Sequence, residues 1–318
     1  MQVLVSTKVK SPTFIISALL AVYVFWGGTY LAMKIAIETI PPFIMGGTRF
    51  LTAGLLVYLW EIHRGQKQPE ISHWLYASLL GFLMLFIGQG GIIWAQQYVP
   101  SGVAAIIFAT VPLWMTLISW GCQGAQRPSN VVIFGLFLGF FGIVLQVKDS
   151  LLGVFANQTH LVGYIVLILA AISWSWGSVY SRVFRLPASP LMSVALQMLT
   201  GGTLYIVVSL FTGEWKQFEV LSISLGSILS LGYLILFGSI IGFGSYIWLL
   251  KVADPTLVST YAYVNPVVAV FLGCTLAGEP FTLNNAVVAL LILTSVVIIS
   301  RNSRLTPPQD VAPQMKSK

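Results

Sequence analysis

Charge is what this sequence has least of. Asp, Glu, Lys and Arg make up 8% of the residues, hydrophobic types make up 57%, and the mean hydropathy is +0.89. A soluble domain carries about 25% charged residues. This chain therefore cannot cover a water-facing surface, and it reads as an integral membrane protein. Its two cysteines, Cys122 and Cys274, match no metal or redox spacing and read as small packing residues. No Walker loop, nucleophile elbow or metal-ligand spacing is present, so ATP-driven work by this chain alone, enzymatic catalysis, a metal and a cofactor are not expected. The net charge of +7 comes without a basic stripe interleaved with aromatics, which argues against nucleic acid as a partner.

What the chain does have, it has twice. Gly88–Pro112 reads GQGGIIWAQQYVPSGVAAIIFATVP, and Gly242–Pro266 reads GFGSYIWLLKVADPTLVSTYAYVNP. At a constant offset of 154, Gly88 pairs with Gly242, Trp94 with Trp248 and Pro112 with Pro266. The run from Pro42 to Gly54 echoes Pro190–Gly202 at offset 148, and Phe25–Tyr30 resembles Ser175–Tyr180 at offset 150. Repetition at so long a period marks a duplicated half-protein rather than a solenoid.

Crossing the hydrocarbon core takes about 20 apolar residues. Ten segments qualify: 13–33, 43–61, 74–96, 101–121, 129–147, 161–181, 189–211, 225–250, 256–276 and 281–300. Strands are excluded because lipid tolerates them only as closed barrels. The first segment is too long for a signal-peptide core and has a repeat partner, so it is kept as a helix. With the N-terminus inside, twelve of the sixteen Lys and Arg fall in inner segments and three in outer ones, with Arg49 inside a span. That bias places both termini in the cytoplasm. Five helices per half is odd, so the halves must insert upside down relative to each other, 13–147 against 161–300, with 301–318 as a disordered cytoplasmic tail. Inverted repeats put a substrate site at their interface near the midplane.

Taken together, several features resemble the EamA branch of the drug/metabolite transporter superfamily. They are Trp26-Gly27, Pro42 with Arg49-Phe50, the break Val99-Pro-Ser-Gly-Val-Ala104, Pro112, Tyr263-Val-Asn-Pro266, and Gly278-Glu279 with Thr282. The resemblance covers about residues 13–300. It implies an all-α membrane protein of two inverted five-helix repeats, with a central cavity alternately open to either side of the bacterial inner membrane. It also implies a secondary transporter, an exporter of amino acids, small metabolites or drugs; a passive pore is the alternative. One departure stands out: the family often carries a Glu after its fourth helix, where Ala125 stands here opposite Glu279.

Pro112 and Pro266 lie about half-way along their segments, where a proline frees a carbonyl and bends the helix; with Glu279 they are the gating candidates. Arg49 lies roughly 10 Å from the outer end of its segment at about 1.5 Å per residue. It either faces the cavity and attracts a substrate carboxylate, or snorkels outward or pairs with Glu38. Gln89 and Asn265 are amides at depth that either bind substrate or tie helices. Trp26, Tyr30, Trp94, Trp176, Tyr180, Tyr246, Trp248 and Tyr261 form a repeated aromatic set, suited to cavity walls or to interfacial anchoring. Gly135-xxx-Gly139 and Gly238-xxx-Gly242 permit close helix contact; a homodimer through the first of them and a monomer are both left open.

Overall fold

The computed structural model describes residues 12–99, 104, 107–122, 127–152, 158–276 and 283–302, and among them every regular element is helical. The longer helices are α1 (Pro12–Ala36), α2 (Pro42–His63), α3 (Ile71–Ala95), α4 (Val111–Cys122), α5 (Asn130–Leu152) and α6 (Gln158–Tyr180). Then follow α7 (Pro190–Phe211), α8 (Leu225–Val252), α9 (Tyr261–Leu276) and α10 (Leu283–Asn302). Six of them are long and apolar enough to cross a bilayer: α1, α2, α3, α6, α7 and α8. Three further apolar stretches, within α4, α5 and α10, are shorter. Helices satisfy their own backbone groups, which water cannot do inside lipid. Phe134, Phe137 and Phe141 of α5 and Leu161, Ile165 and Leu169 of α6 are exposed on the outside of the bundle, an apolar surface suited to lipid rather than water.

α2 packs most extensively on α7. Gly46 meets Tyr205, Gly54 meets Met198, and Glu61 meets Ser189. Numbers rise along one helix as they fall along the other, so the two repeat-related helices run antiparallel. Glycines let the backbones approach: a Cβ at Gly202 would come within 2.7 Å of the Leu51 amide nitrogen.

Two of the long rods are not uniformly α-helical. α3 is π-helical over Gly81–Gln89, and α8 is π-helical over Leu234–Phe243. Both widened stretches run into the start of the doubled motif, taking in its first two residues, Gly88 and Gln89 in one copy and Gly242 and Phe243 in the other. Hydropathy cannot reveal this, because an apolar side chain reads the same in either helix. A π-bulge is characteristic of functional sites, and here carbonyls in both stretches accept side chains of other helices. Tyr205 donates to Leu85 O at 2.9 Å, Ser173 to Leu83 O at 2.8 Å, and Trp26 Nε1 to Gly238 O at 2.9 Å.

The two prolines differ. Pro266 lies inside α9, as expected. Pro112 does not sit mid-helix: a turn at Ala109–Thr110 interrupts the segment, and Pro112 occupies the first turn of α4. Its missing N–H costs nothing there, because a first-turn amide has no intrahelical partner anyway. The Thr110 hydroxyl folds back onto Ile107 O at 2.5 Å, marking the break. α9 is likewise preceded by a break at Thr260, after the short helix Pro255–Ser259, where Thr260 Oγ1 donates to Leu257 O at 2.6 Å.

The main core gathers residues of α1, α2, α3, α4, α6, α7, α8 and α9, while α5 and α10 pack through a smaller cluster around Tyr263. Gly135 and Gly139 face α10 of the same chain; a Cβ at Gly139 would lie 2.5 Å from Ser295 Oγ. The small-residue spacing on α5 is therefore used within the chain.

Candidate functional site

α1, α2, α3, α6, α8 and α9 meet around a small internal cavity lined by Trp26, Arg49, Gln89, Trp174, Tyr261 and Asn265, among others. Its volume is about 20 Å³, room for about one water molecule.

The walls are aromatic and paired across the molecule. Trp26 and Trp174 meet edge to face, with centroids 5.7 Å apart at 72°. They are related by offset 148, the same spacing that relates Pro42 to Pro190. Trp26 lies over Gly242, where a Cβ would come within 2.4 Å of its Nε1; Trp174 lies over Gly88, where a Cβ would come 3.1 Å from its Cε3. Each tryptophan thus fills the space left by the repeated glycine of the other half's π-helical rod. Trp174 Nε1 donates to Tyr246 Oη at 3.1 Å, and that hydroxyl donates to Ser178 at 2.7 Å. Tyr261 closes the cluster, edge to face with Trp26 at 4.8 Å.

Arg49 supplies the charge. It is only 3% exposed, so it does not snorkel, and none of the described carboxylates, Glu38 included, lies within ion-pair distance of it. Nε donates to Ser239 at 2.9 Å, and the guanidinium carbon stands 4.6 Å from the centre of the Phe50 ring. Gly238 makes room for it: a Cβ there would lie 3.1 Å from Nη2. The Gly238-xxx-Gly242 pair therefore seats Arg49 and Trp26. Nη1 is buried without a hydrogen-bond partner among the described residues.

The other expected residues divide. Trp26, Tyr30, Arg49, Gln89, Tyr261 and Asn265 come together on this cavity. The Asn265 amide nitrogen, in the orientation that satisfies hydrogen bonding, faces Tyr261 O at 3.0 Å and Tyr23 O at 3.3 Å, so it also ties α9 to α1. Tyr246 is fully buried behind the cavity. Trp176 is not a cavity residue: it is 39% exposed and stacks on Tyr180 at 5.1 Å, outside the central site. Trp94 packs on Tyr98 and does not reach the cavity either. Glu279, like Ala125, lies outside the described residues. Trp174 was missed; offset 148, applied to the first helix as well as the second, points to it.

A second, wider cavity of about 640 Å³ opens where the basic loops gather. Phe14, Glu61, Arg64, Ser189, Ser245 and Trp248 are among its walls. The buried Glu61 carboxylate accepts the Ser189 hydroxyl at the N-terminus of α7. At the opposite end, the Glu214 carboxylate accepts the Phe43 amide at 3.1 Å and the Ile44 amide at 3.0 Å, capping the N-terminus of α2. Burial raises the Glu214 pKa above its ordinary value, and the two N–H bonds oppose that rise.

The model of the EamA-like transporter family matches residues 13–147 and again 161–301. Over 295 residues the chain is 38% identical to the uncharacterized inner membrane transporter YedA of Escherichia coli, covering 92% of this chain and 93% of that one. It is 26% identical to the uncharacterized transporter YoaV of Bacillus subtilis, over 87% of this chain and 94% of that one. A solved crystal structure superposes with a TM-score of 0.73 at 19% identity, covering 91% of this chain and 96% of the other. At that identity the likeness concerns the fold.

Proposed function

Because this chain belongs to the EamA-like transporter family, we propose that it is an alternating-access secondary transporter, exporting small metabolites or drugs across the bacterial inner membrane. The membrane assignment follows the name of its relative YedA. The observation that carries the reading is a small, charged, aromatic-walled site at the meeting of six helices, beside a far wider cavity at the basic end. A continuous pore would need a polar path along several helices; this centre has room for about one water. The antiparallel packing of α2 on α7 supports two inverted five-helix halves, which would rock about the Trp26–Trp174 contact. The excess of Lys and Arg supports a cytoplasmic position for the wide cavity, where an exporter would load.

Purified protein in liposomes should take up at least one solute of a metabolite panel saturably, and faster when the same solute is loaded inside. Linear, non-saturable leakage without counterflow would replace the carrier with a pore.

A further inference from the structure

We infer that Arg49 is the anchor for the carboxylate of an organic substrate whose body is apolar or aromatic. This rests on the central cavity being the transport site. The guanidinium is buried within a span, where an unpaired charge is costly to keep. Its Nε is fixed by Ser239, and no described carboxylate lies within ion-pair distance. Among the described residues Nη1 has no hydrogen-bond partner. A donor held in that state is completed by an oxyanion, and hydrogen bonds between two charged groups are about twice as strong as neutral ones.

The lining selects among anions. Among the described residues it carries one cation and no acidic side chain. A single carboxylate balances that charge, whereas a phosphate dianion would leave excess charge desolvated. A cationic solute would meet an uncompensated positive charge. The remaining walls, Trp26, Tyr30, Trp174 and Tyr261, offer ring faces and edges to a flat or apolar body. The repeat-related position on α7 is Gln197, buried and neutral, so the charge lies on one side of the pseudo-symmetric pair. With about 20 Å³ free in this structure, the helices must part before the body enters.

The test is binding to the purified full-length chain in detergent, read by thermal shift and by the tryptophan fluorescence of the site. The probes are phenylacetate, its neutral amide, 2-phenylethylamine and chloride. Phenylacetate is expected to bind saturably, about tenfold or more tighter than the amide, with the amine and chloride weaker still. Arg49→Gln should erase the preference for acid over amide, and Arg49→Lys should keep part of it. The ratio within the unaltered protein needs no variant to fold. Equal binding of acid and amide, preference for the amine, or chloride matching phenylacetate would each overturn the assignment. Counterflow indifferent to substrate charge would sink the anchor and leave the carrier standing. Charge-selective binding without any flux would do the reverse.

Discussion

Gly242 is where a single methyl group would do most damage. A Cβ there would stand 2.4 Å from Trp26 Nε1 and 2.9 Å from Phe237 O, closer than side chains tolerate. Gly242→Ala must displace the indole and with it the bond to Gly238 O. Overpacking of this kind costs about 1–3 kcal/mol. A lowered melting temperature and an altered tryptophan emission are expected, whereas Gly232→Ala, with nothing within 4 Å, should leave both unchanged or slightly raise stability. Equal behaviour of the two variants would show that the indole is not seated on Gly242. The glycine itself was legible, because it recurs with Gly88 in the repeated motif. What it receives was not. Matching Phe25–Tyr30 to Ser175–Tyr180 paired Trp26 with Trp176, which faces outward, and passed over Trp174 two residues earlier. Arg49 was legible as a charge in a span; which of its open fates holds depended on Gly238 leaving room for the guanidinium.

Among the elements, α2 and α7 hold each other at both ends. Glu61 near the end of α2 meets the first turn of α7, and Glu214 just beyond α7 caps α2. The Glu214 clasp can be read through pH. Burial raises its pKa from the ordinary 4.5, against the pull of the Phe43 and Ile44 amides. Between 4.5 and the raised value the folded state binds more protons than the unfolded chain, so stability falls as pH rises through that window. The contribution is complete below 4.5 and lost above the folded pKa. Glu214→Gln keeps an acceptor for the amides but cannot titrate. Its melting temperature relative to the unaltered protein should climb just above pH 4.5 and then level off. A gap moving the other way would mean that the helix N-terminus outweighs burial. Sequence periodicity located these helices but not their clasps, which join residues 171 and 128 positions apart. Nor did it show the π-helical stretches, or that Pro112 opens a helix rather than bending one, since a proline alone reads the same in both settings.

At the scale of the whole molecule, the two cavities set an accessibility pattern that a carrier must change as it works. In this conformation the centre holds about 20 Å³ and the basic end about 640 Å³, so a water-soluble reagent should reach the wide cavity from one side and stop there. Ser245 lines that cavity and Thr29 lines the centre. Cys122 is exposed, so the experiment starts from the chain with Cys122→Ser and Cys274→Ser. Ser245→Cys should react with a membrane-impermeant maleimide in inside-out vesicles and not in intact cells. Thr29→Cys should resist it from both sides until transported solute is present. Labelling at 245 should also block counterflow, because a bulky adduct holds α1 away from α8, where Phe14 and Ala18 face Ile240 and Ser245 across the same space. Reaction of Ser245→Cys only from outside would invert the orientation drawn from Lys and Arg. Reaction of Thr29→Cys from both faces at once would mean a continuous aqueous path, which two alternating gates never permit.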